Sequence, residues 1–225
     1  MSSYATENRF MNTILAVDPA IDGEIIHTMA AELQTRYSEP QRYYHTLEHI
    51  SYMLKALESS GRSSEIIELA IWFHDCIYDP VKGGPSNELE SIRVFETFVD
   101  TTTSRATAAL RESVSTLIEA TIQHRVPDVL PAQLCASDVT VFLDLDMNIL
   151  AETPEVYDNY SRQIRREYAH VPANAYRSGR IKVLQDFLLR DHIFLGPDSG
   201  SMDEQAKKNI LREIHRLEMT SDADI

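Results

Sequence analysis

Ser64-Glu65-Ile66-Ile67-Glu68-Leu69-Ala70-Ile71-Trp72-Phe73-His74-Asp75 is the stretch that decides the fold. Ser64 is a residue type that caps helix N-termini by accepting a hydrogen bond from a backbone N–H. Behind it, Ile66, Ile67, Leu69, Ala70, Ile71 and Phe73 cover nearly every side of a helix. A helix that is apolar all round belongs in the interior. The segment is therefore predicted to be the central buried helix, with the rest of the chain packed around it. It ends on His74-Asp75, and a polar, ionisable pair at the end of so apolar a segment needs compensation, for which a metal ion is suited.

Working outward, helix punctuation recurs. Thr46 caps a segment carrying Leu47, Ile50, Met53, Leu54 and Leu57 at helical spacing. Asp18-Pro19 reads as an N-cap followed by proline at the first helical position, with Ile25, Ile26, Met29 and Leu33 on one face. Downstream, Pro80, Gly83, Gly84 and Pro85 make residues 78–86 a loop. Asn87 and Glu90 are spaced as a capping box for a helix reaching about Val99. Ser104 to Gln123 is amphipathic through Ala106, Leu110, Val114, Leu117, Ile118 and Thr121, and Pro127 and Pro131 bound the next loop. Residues 137–145, with Val139, Val141, Phe142 and Leu143, suit a helix or a strand. Thr153-Pro154-Glu155 opens a helix whose Tyr157, Tyr160, Ile164 and Tyr168 form a stripe of the kind that usually enters a core. Residues 174–190 and 203–219 also read as helical. The sum is an all-α fold of roughly eight helices with no convincing strand pair. It is expected as one domain over 1–225, with a core over about 10–195 and a C-terminal helix over 203–219.

Composition narrows the function. The 225 residues are 43% hydrophobic and 25% charged, ordinary for a globular chain. The seven glycines gather mainly at Gly83-Gly84 and between Gly196 and Gly200, which leaves most of the chain free of helix breakers. A net charge of −14 repels polyphosphate backbones, so a nucleic-acid polymer is not an expected partner. A small anionic substrate stays compatible, because a bound cation reverses the potential inside a pocket. Cys76 and Cys135 show no CxxC spacing, which points to a reducing compartment. The first residues lack the apolar core of a secretory signal and no apolar run reaches membrane length. A cytoplasmic protein with no membrane partner is the expectation.

Three places carry chemistry. In Arg42-Tyr43-Tyr44-His45-Thr46-Leu47-Glu48-His49, a helix would put His45 and His49 one turn apart on one face. The second is His74-Asp75. The third is Asp144-Leu145-Asp146, inside another apolar run. A His-Asp dipeptide alone arises by chance in roughly one chain in two of this composition. Its position after the most apolar segment, flanked by elements that supply further imidazole and carboxylate, is what gives it weight.

In the order His…His-Asp…Asp carried on helices, the chain resembles the HD superfamily of metal-dependent phosphohydrolases. Locally it is similar to an uncharacterised bacterial-type branch of that superfamily. The likeness rests on Tyr44-His45-x-x-x-His49-Ile50, Phe73-His74-Asp75-x-x-Tyr78-Asp79, Asn87-Glu88-x-x-Ser91, Asp144-x-Asp146-x-x-Ile149-Leu150 and Tyr160-x-x-x-Ile164-Arg165-x-Glu167-Tyr168. It runs from about residue 10 to residue 195.

The resemblance implies an HD-like helical bundle and a divalent ion (manganese, iron, cobalt, nickel, zinc or magnesium) on His49, His74, Asp75 and Asp146. Asp144 is the alternative late aspartate, and His45 and His124 are the candidates for a second metal. Without a ligand role, His45 would orient a ligand and His124 would cap its helix C-terminus. HD-type nucleotidases carry catalytic acids at set positions after the His-Asp pair, where this chain has Tyr78 and Asp79, so the likeness does not imply that activity. The reaction expected is cleavage of a phosphoester of a small molecule or nucleotide by metal-activated water. Asp75, Asp79 and Glu88 are the candidate catalytic groups, and Arg42 and Lys82 the candidate phosphate contacts. Two other readings share the ligand order: a dinuclear-iron oxygenase, which needs extra histidines, and a non-catalytic module stapled by a closed metal site.

Overall fold

The structure, a computed structural model, describes residues 4–62, 64–197 and 199–219. Within them the regular elements are ten α-helices and one 3-10 turn, and no strand occurs among the described residues. The helices divide into two compact units, Met1–Leu145 and Asp146–Ile225. None of the helices is long and apolar enough to cross a membrane.

The first unit is built on the quoted stretch. Helix α4 (Glu65–Phe73) buries Ile67, Leu69, Ala70, Ile71, Trp72 and Phe73, and the Ser64 side chain accepts from the Ile67 N–H as expected. Around it stand α1 (Glu7–Val17), α3 (Leu47–Ser59), α5 (Ser86–Thr102) and α6 (Arg105–Ala120), while α2 (Gly23–Arg36) packs on α1 and α5. Phe10 of α1 meets Trp72 edge-on at 5.4 Å, and Phe73 stacks on Phe98 of α5 at 5.8 Å. Each ring so buried contributes about 1.5–3 kcal/mol. Glu68, polar within this apolar helix, accepts from Arg9 (2.9 Å) and Thr13 (2.7 Å), which latches α1 across α4. Helix α7 (Ala136–Met147) adds Val139, Phe142 and Leu143 to the same core, and the division between the units falls in its last turn.

The second unit comprises a 3-10 turn (Asn148–Ala151), α8 (Pro154–Glu167), α9 (Ala173–Leu188) and α10 (Gly200–Met219). Tyr157 is fully buried, and Tyr160 and Tyr168 pack against the same cluster, so the tyrosine stripe does enter a core. Residues 203–219 lie within α10, which buries Ala206, Ile210, Ile214 and Leu217 against that cluster. Its Glu213 is buried as well, accepting from Tyr157 Oη (2.6 Å), Ser161 Oγ (2.8 Å) and Arg180 Nε and Nη2 (3.0 and 3.1 Å).

Several expectations need correction. The expected eight helices are ten, chiefly because α1 precedes the first helix expected from the sequence. Asp18 is the C-cap of α1, and the N-cap of α2 is Asp22, whose side chain accepts from the Glu24 N–H. Pro19 therefore sits in a turn between two helices. Helix α5 starts at Ser86 behind Pro85 with no side-chain cap, and it runs on to Thr102. Asn87 is diverted from capping because its amide exchanges two hydrogen bonds with the backbone of Asp79, at 3.0 and 3.3 Å. Helix α6 ends at Ala120, and residues 136–147 are helix, not strand.

Candidate metal centre

Helix α3 begins at Leu47, with the Thr46 side chain accepting from the Glu48 N–H. His45 therefore precedes the cap and does not lie one helical turn below His49. Its ring stacks on Tyr78 at 4.2 Å. His49 lies in the first turn of α3 and is buried.

Helix α4 ends at Phe73 and makes His74 its C-cap residue, with the backbone N–H bonded to Ala70 O at 2.9 Å. The His74 ring Nδ1 is 3.0 Å from Ile71 O. A carbonyl only accepts, so Nδ1 carries the hydrogen, which makes Nε2 the ring atom that would meet a metal. Phe142 of α7 meets this ring edge-on at 5.9 Å.

His74 Nε2 is 3.3 Å from His49 Nε2 and 3.1 Å from Asp75 Oδ2, and His49 Nε2 is 3.9 Å from the same oxygen. Asp146 joins them: one ligand atom each of His49, His74 and Asp146 lies within 4.8 Å of the other two. Metal–nitrogen and metal–oxygen bonds run about 2.0–2.2 Å, so donors on one ion stand at most about 4.4 Å apart. The three separations among His49, His74 and Asp75 fall inside that limit, and Asp146 stands near it from both histidines, whereas Asp75 is not in the group that Asp146 forms with them. Lone pairs that converge on one point repel unless a cation or a proton lies between them, and mixed imidazole and carboxylate donors suit a divalent ion. The residues present thus fit a metal.

The late aspartate follows from helix geometry. Val139, Phe142 and Leu143 define the buried face of α7, and Asp146 continues it at the next turn. Asp144, two residues earlier, points about 200° away around the axis. The structure groups Asp146 with the histidines, and Asp144 is not in that group.

Arg42 is not at a substrate position. Its side chain is 0% exposed. Nη1 donates to the carbonyls of His45 (3.0 Å) and Asp75 (2.8 Å), Nη2 to Cys76 O (3.0 Å) and Nε to Glu39 (3.1 Å). The guanidinium also lies against the rings of Tyr37 and Tyr78. It clamps the His45 segment to the residues directly after His74. Sequence reasoning placed an arginine near the site correctly but could not see that its donors are spent on the backbone.

Asp79 is committed to its own loop, where Oδ1 accepts from the N–H groups of Val81 (2.9 Å) and Lys82 (3.3 Å). Lys82 is exposed on that loop. Glu88 lies in the first turn of α5, and its buried Oε2 has no hydrogen-bond partner. Burial lifts its carboxyl above the usual range and the Asp75 charge adds to the lift, while His124 and His74 act against it. A residue unforeseen from the sequence shapes this carboxylate. A Cβ on Gly84 would stand 2.9 and 3.0 Å from the two Glu88 oxygens, so any side chain there would push the carboxylate from its place. Its visible signal was the Gly83-Gly84 pair, which reads as a loop and nothing more.

His124 lies in the turn beyond α6, whose C-cap is Thr121, in the left-handed conformation with φ 48°, and the Arg125 N–H bonds back to Ala120 O at 3.4 Å. A left-handed histidine costs on the order of 1 kcal/mol. His124 is therefore not the helix cap, and it is an electrostatic neighbour of Glu88.

Among known proteins, no family model matches the chain, and neither a curated protein nor a solved structure is significantly similar to it.

Proposed function

We propose that the protein is a cytoplasmic, metal-dependent phosphohydrolase of the HD type, cleaving a phosphoester of a small anionic molecule or nucleotide. The observation that carries this reading is the grouping of His49, His74 and Asp146, with Asp75 Oδ2 beside the two imidazoles at 3.1 and 3.9 Å. A divalent ion held there would acidify water and polarise a phosphoryl oxygen.

The chain's own residues do the rest. His49 and His74 enter from two helices and bind through Nε2, the His74 tautomer being held by Ile71 O. Asp75, with 19% of its side chain exposed, lies on the open side of the cluster, where substrate and water would arrive. Glu88 faces Asp75 and His74 electrostatically, and burial keeps a proton on it to higher pH than on a free carboxyl, as suits a general acid at the leaving oxygen. Asp79 keeps the role of shaping the loop that leads to Glu88, and Lys82 remains available for a phosphate on that loop. Arg42 supports the site by holding backbone.

The dinuclear-iron alternative requires His45 and His124 as ligands. His45 is instead stacked on Tyr78, and neither belongs to the grouped donors, which favours a single ion and hydrolysis. The test is elemental analysis of the native protein, followed by a screen of phosphomonoesters, nucleotides and cyclic nucleotides with each candidate ion. Full metal content in both His74→Ala and Asp75→Ala would end the reading.

A further inference from the structure

The second unit holds a corner in which two neighbouring hydrogen-bond donors, on Arg165 and Tyr176, are buried without an acceptor. Arg165, in the last turn of α8, stacks its guanidinium over the Tyr176 ring at 4.7 Å. Its Nη1 donates to Tyr168 O at 2.7 Å, but its Nε is buried with no hydrogen-bond partner. Tyr176 is 6% exposed, and its hydroxyl too is buried with no partner. One turn along α9, Arg180 spends Nε and Nη2 on Glu213 and Tyr160 and leaves Nη1 unengaged. Burial pushes the Tyr176 hydroxyl up to about 12, and both guanidiniums act on it electrostatically. It therefore stays a donor at neutral pH. Buried donors without acceptors are rare, because each forfeits its hydration for nothing in return.

An anion would satisfy both buried donors and offer Arg180 Nη1 an acceptor. Glu213 balances Arg180, while Arg165 has no carboxylate partner among the described residues. The donors come from two helices, Arg165 over the Tyr176 ring face and Arg180 one turn along α9. Two guanidiniums and a hydroxyl are a donor set suited to phosphate oxygens. We propose that Arg165, Tyr176 and Arg180 form a phosphate-binding site in the second unit, one that none of the metal-centre residues takes part in. The inference stands whether or not the chain hydrolyses phosphoesters.

Inorganic phosphate, titrated into the full-length protein against chloride at equal ionic strength, is the probe, with calorimetry and thermal melting as readouts. Phosphate is expected to bind and to raise the melting midpoint. Arg165→Gln is expected to weaken binding roughly tenfold or more, the loss of one charge-assisted bond. Tyr176→Phe is expected to melt no lower than the wild type in phosphate-free buffer, since it removes an unsatisfied hydroxyl, and to gain less from phosphate. Asp146→Asn is expected to keep the full response, which separates this site from the metal centre. No advantage of phosphate over chloride overturns the proposal. So does an undiminished response in Arg165→Gln, a response lost in Asp146→Asn, or acetate acting as strongly as phosphate. Arg180 is left unchanged because its removal would strand the buried Glu213, and if Tyr176→Phe fails to fold, Arg165→Gln decides alone.

Discussion

Arg42→Lys separates two roles for the same residue. As an exposed phosphate contact, the lysine would keep the charge, leave stability within about 0.5 kcal/mol and alter only substrate binding. In the structure the guanidinium is fully enclosed and makes four hydrogen bonds, three of them to the carbonyls of His45, Asp75 and Cys76. A lysine ammonium at the end of a shorter, unforked stem can serve one or two of these. Bonds from a charged donor contribute about 1.5–3 kcal/mol each, and partial re-pairing offsets some of the loss, so the expected cost is about 3 kcal/mol. With a urea slope of about 2–3 kcal/mol/M, the midpoint falls by roughly 1 M. The assay is direct, because Trp72 is the chain's one tryptophan and is 3% exposed in the core of the first unit. Its fluorescence reports on the unit that Arg42 holds. The freed carbonyls flank His74 and Asp75, so metal affinity should fall by roughly ten- to a hundredfold as well. A midpoint within 0.3 M of the wild type (roughly a tenth of the protein's expected stability), with metal affinity unchanged, would refute the clamp and return Arg42 to the surface role.

The metal centre makes a second prediction: Asp146→Asn loses the ion on elemental analysis, whereas Asp144→Asn keeps it. Gly84→Ala should lower phosphoesterase kcat about tenfold by displacing the Glu88 carboxylate 2.9 Å away, with metal content unchanged. Combining it with the shorter Glu88→Asp should restore part of that loss, and no recovery would show that the loop acts otherwise. In the second unit, burial pushes Glu213 up, but Arg180 and the hydroxyls of Tyr157 and Ser161 outweigh it and hold the carboxyl below its ordinary value. A depressed carboxyl contributes stability that is present above the unfolded pKa and lost as pH falls through the folded one. Glu213→Gln should therefore cost about 3–5 kcal/mol at pH 7, by stranding Arg180, and cost progressively less below the ordinary carboxyl range. Near-ultraviolet circular dichroism of the buried Tyr157 measures it, and a cost that does not change with pH would sink the argument.

How far the sequence could be read depends on what each residue's signal was local to. The helical periodicity of α3, α4 and α6 is written in caps and apolar spacing, and those elements start where Thr46, Ser64 and Ser104 place them. Helix α1 buries Phe10, Thr13 and Ile14 and packs Met11, Leu15 and Val17 partly against the core, a periodicity masked in the sequence by the Asp18-Pro19 signal beside it. Asn87 is a good cap residue by type, but its amide reaches eight residues back to Asp79, and no local pattern encodes such a partner. The same holds for Arg42, whose acceptors lie 33 and 34 residues away at Asp75 and Cys76.

The choice between Asp144 and Asp146 shows the limit most sharply. Residues 137–145 suited helix or strand, and the late ligand was a separate question only in appearance. In a strand the side chains repeat every second residue, so both aspartates would face one way and could share a site. In a helix they diverge by about 200°, and only one can follow the buried face. Once Val139, Phe142 and Leu143 pack as a helical stripe against the core of the first unit, Asp146 is the residue that extends the stripe toward His49 and His74. The period of the apolar pattern and the identity of the ligand are therefore one physical fact. A variant exchanging residues 144 and 148, Asp144→Asn with Asn148→Asp, should keep the ion because Asp146 is untouched. One moving the carboxylate, Asp146→Asn with Leu145→Asp, should lose it, because a step of one residue turns the donor about 100° off the site.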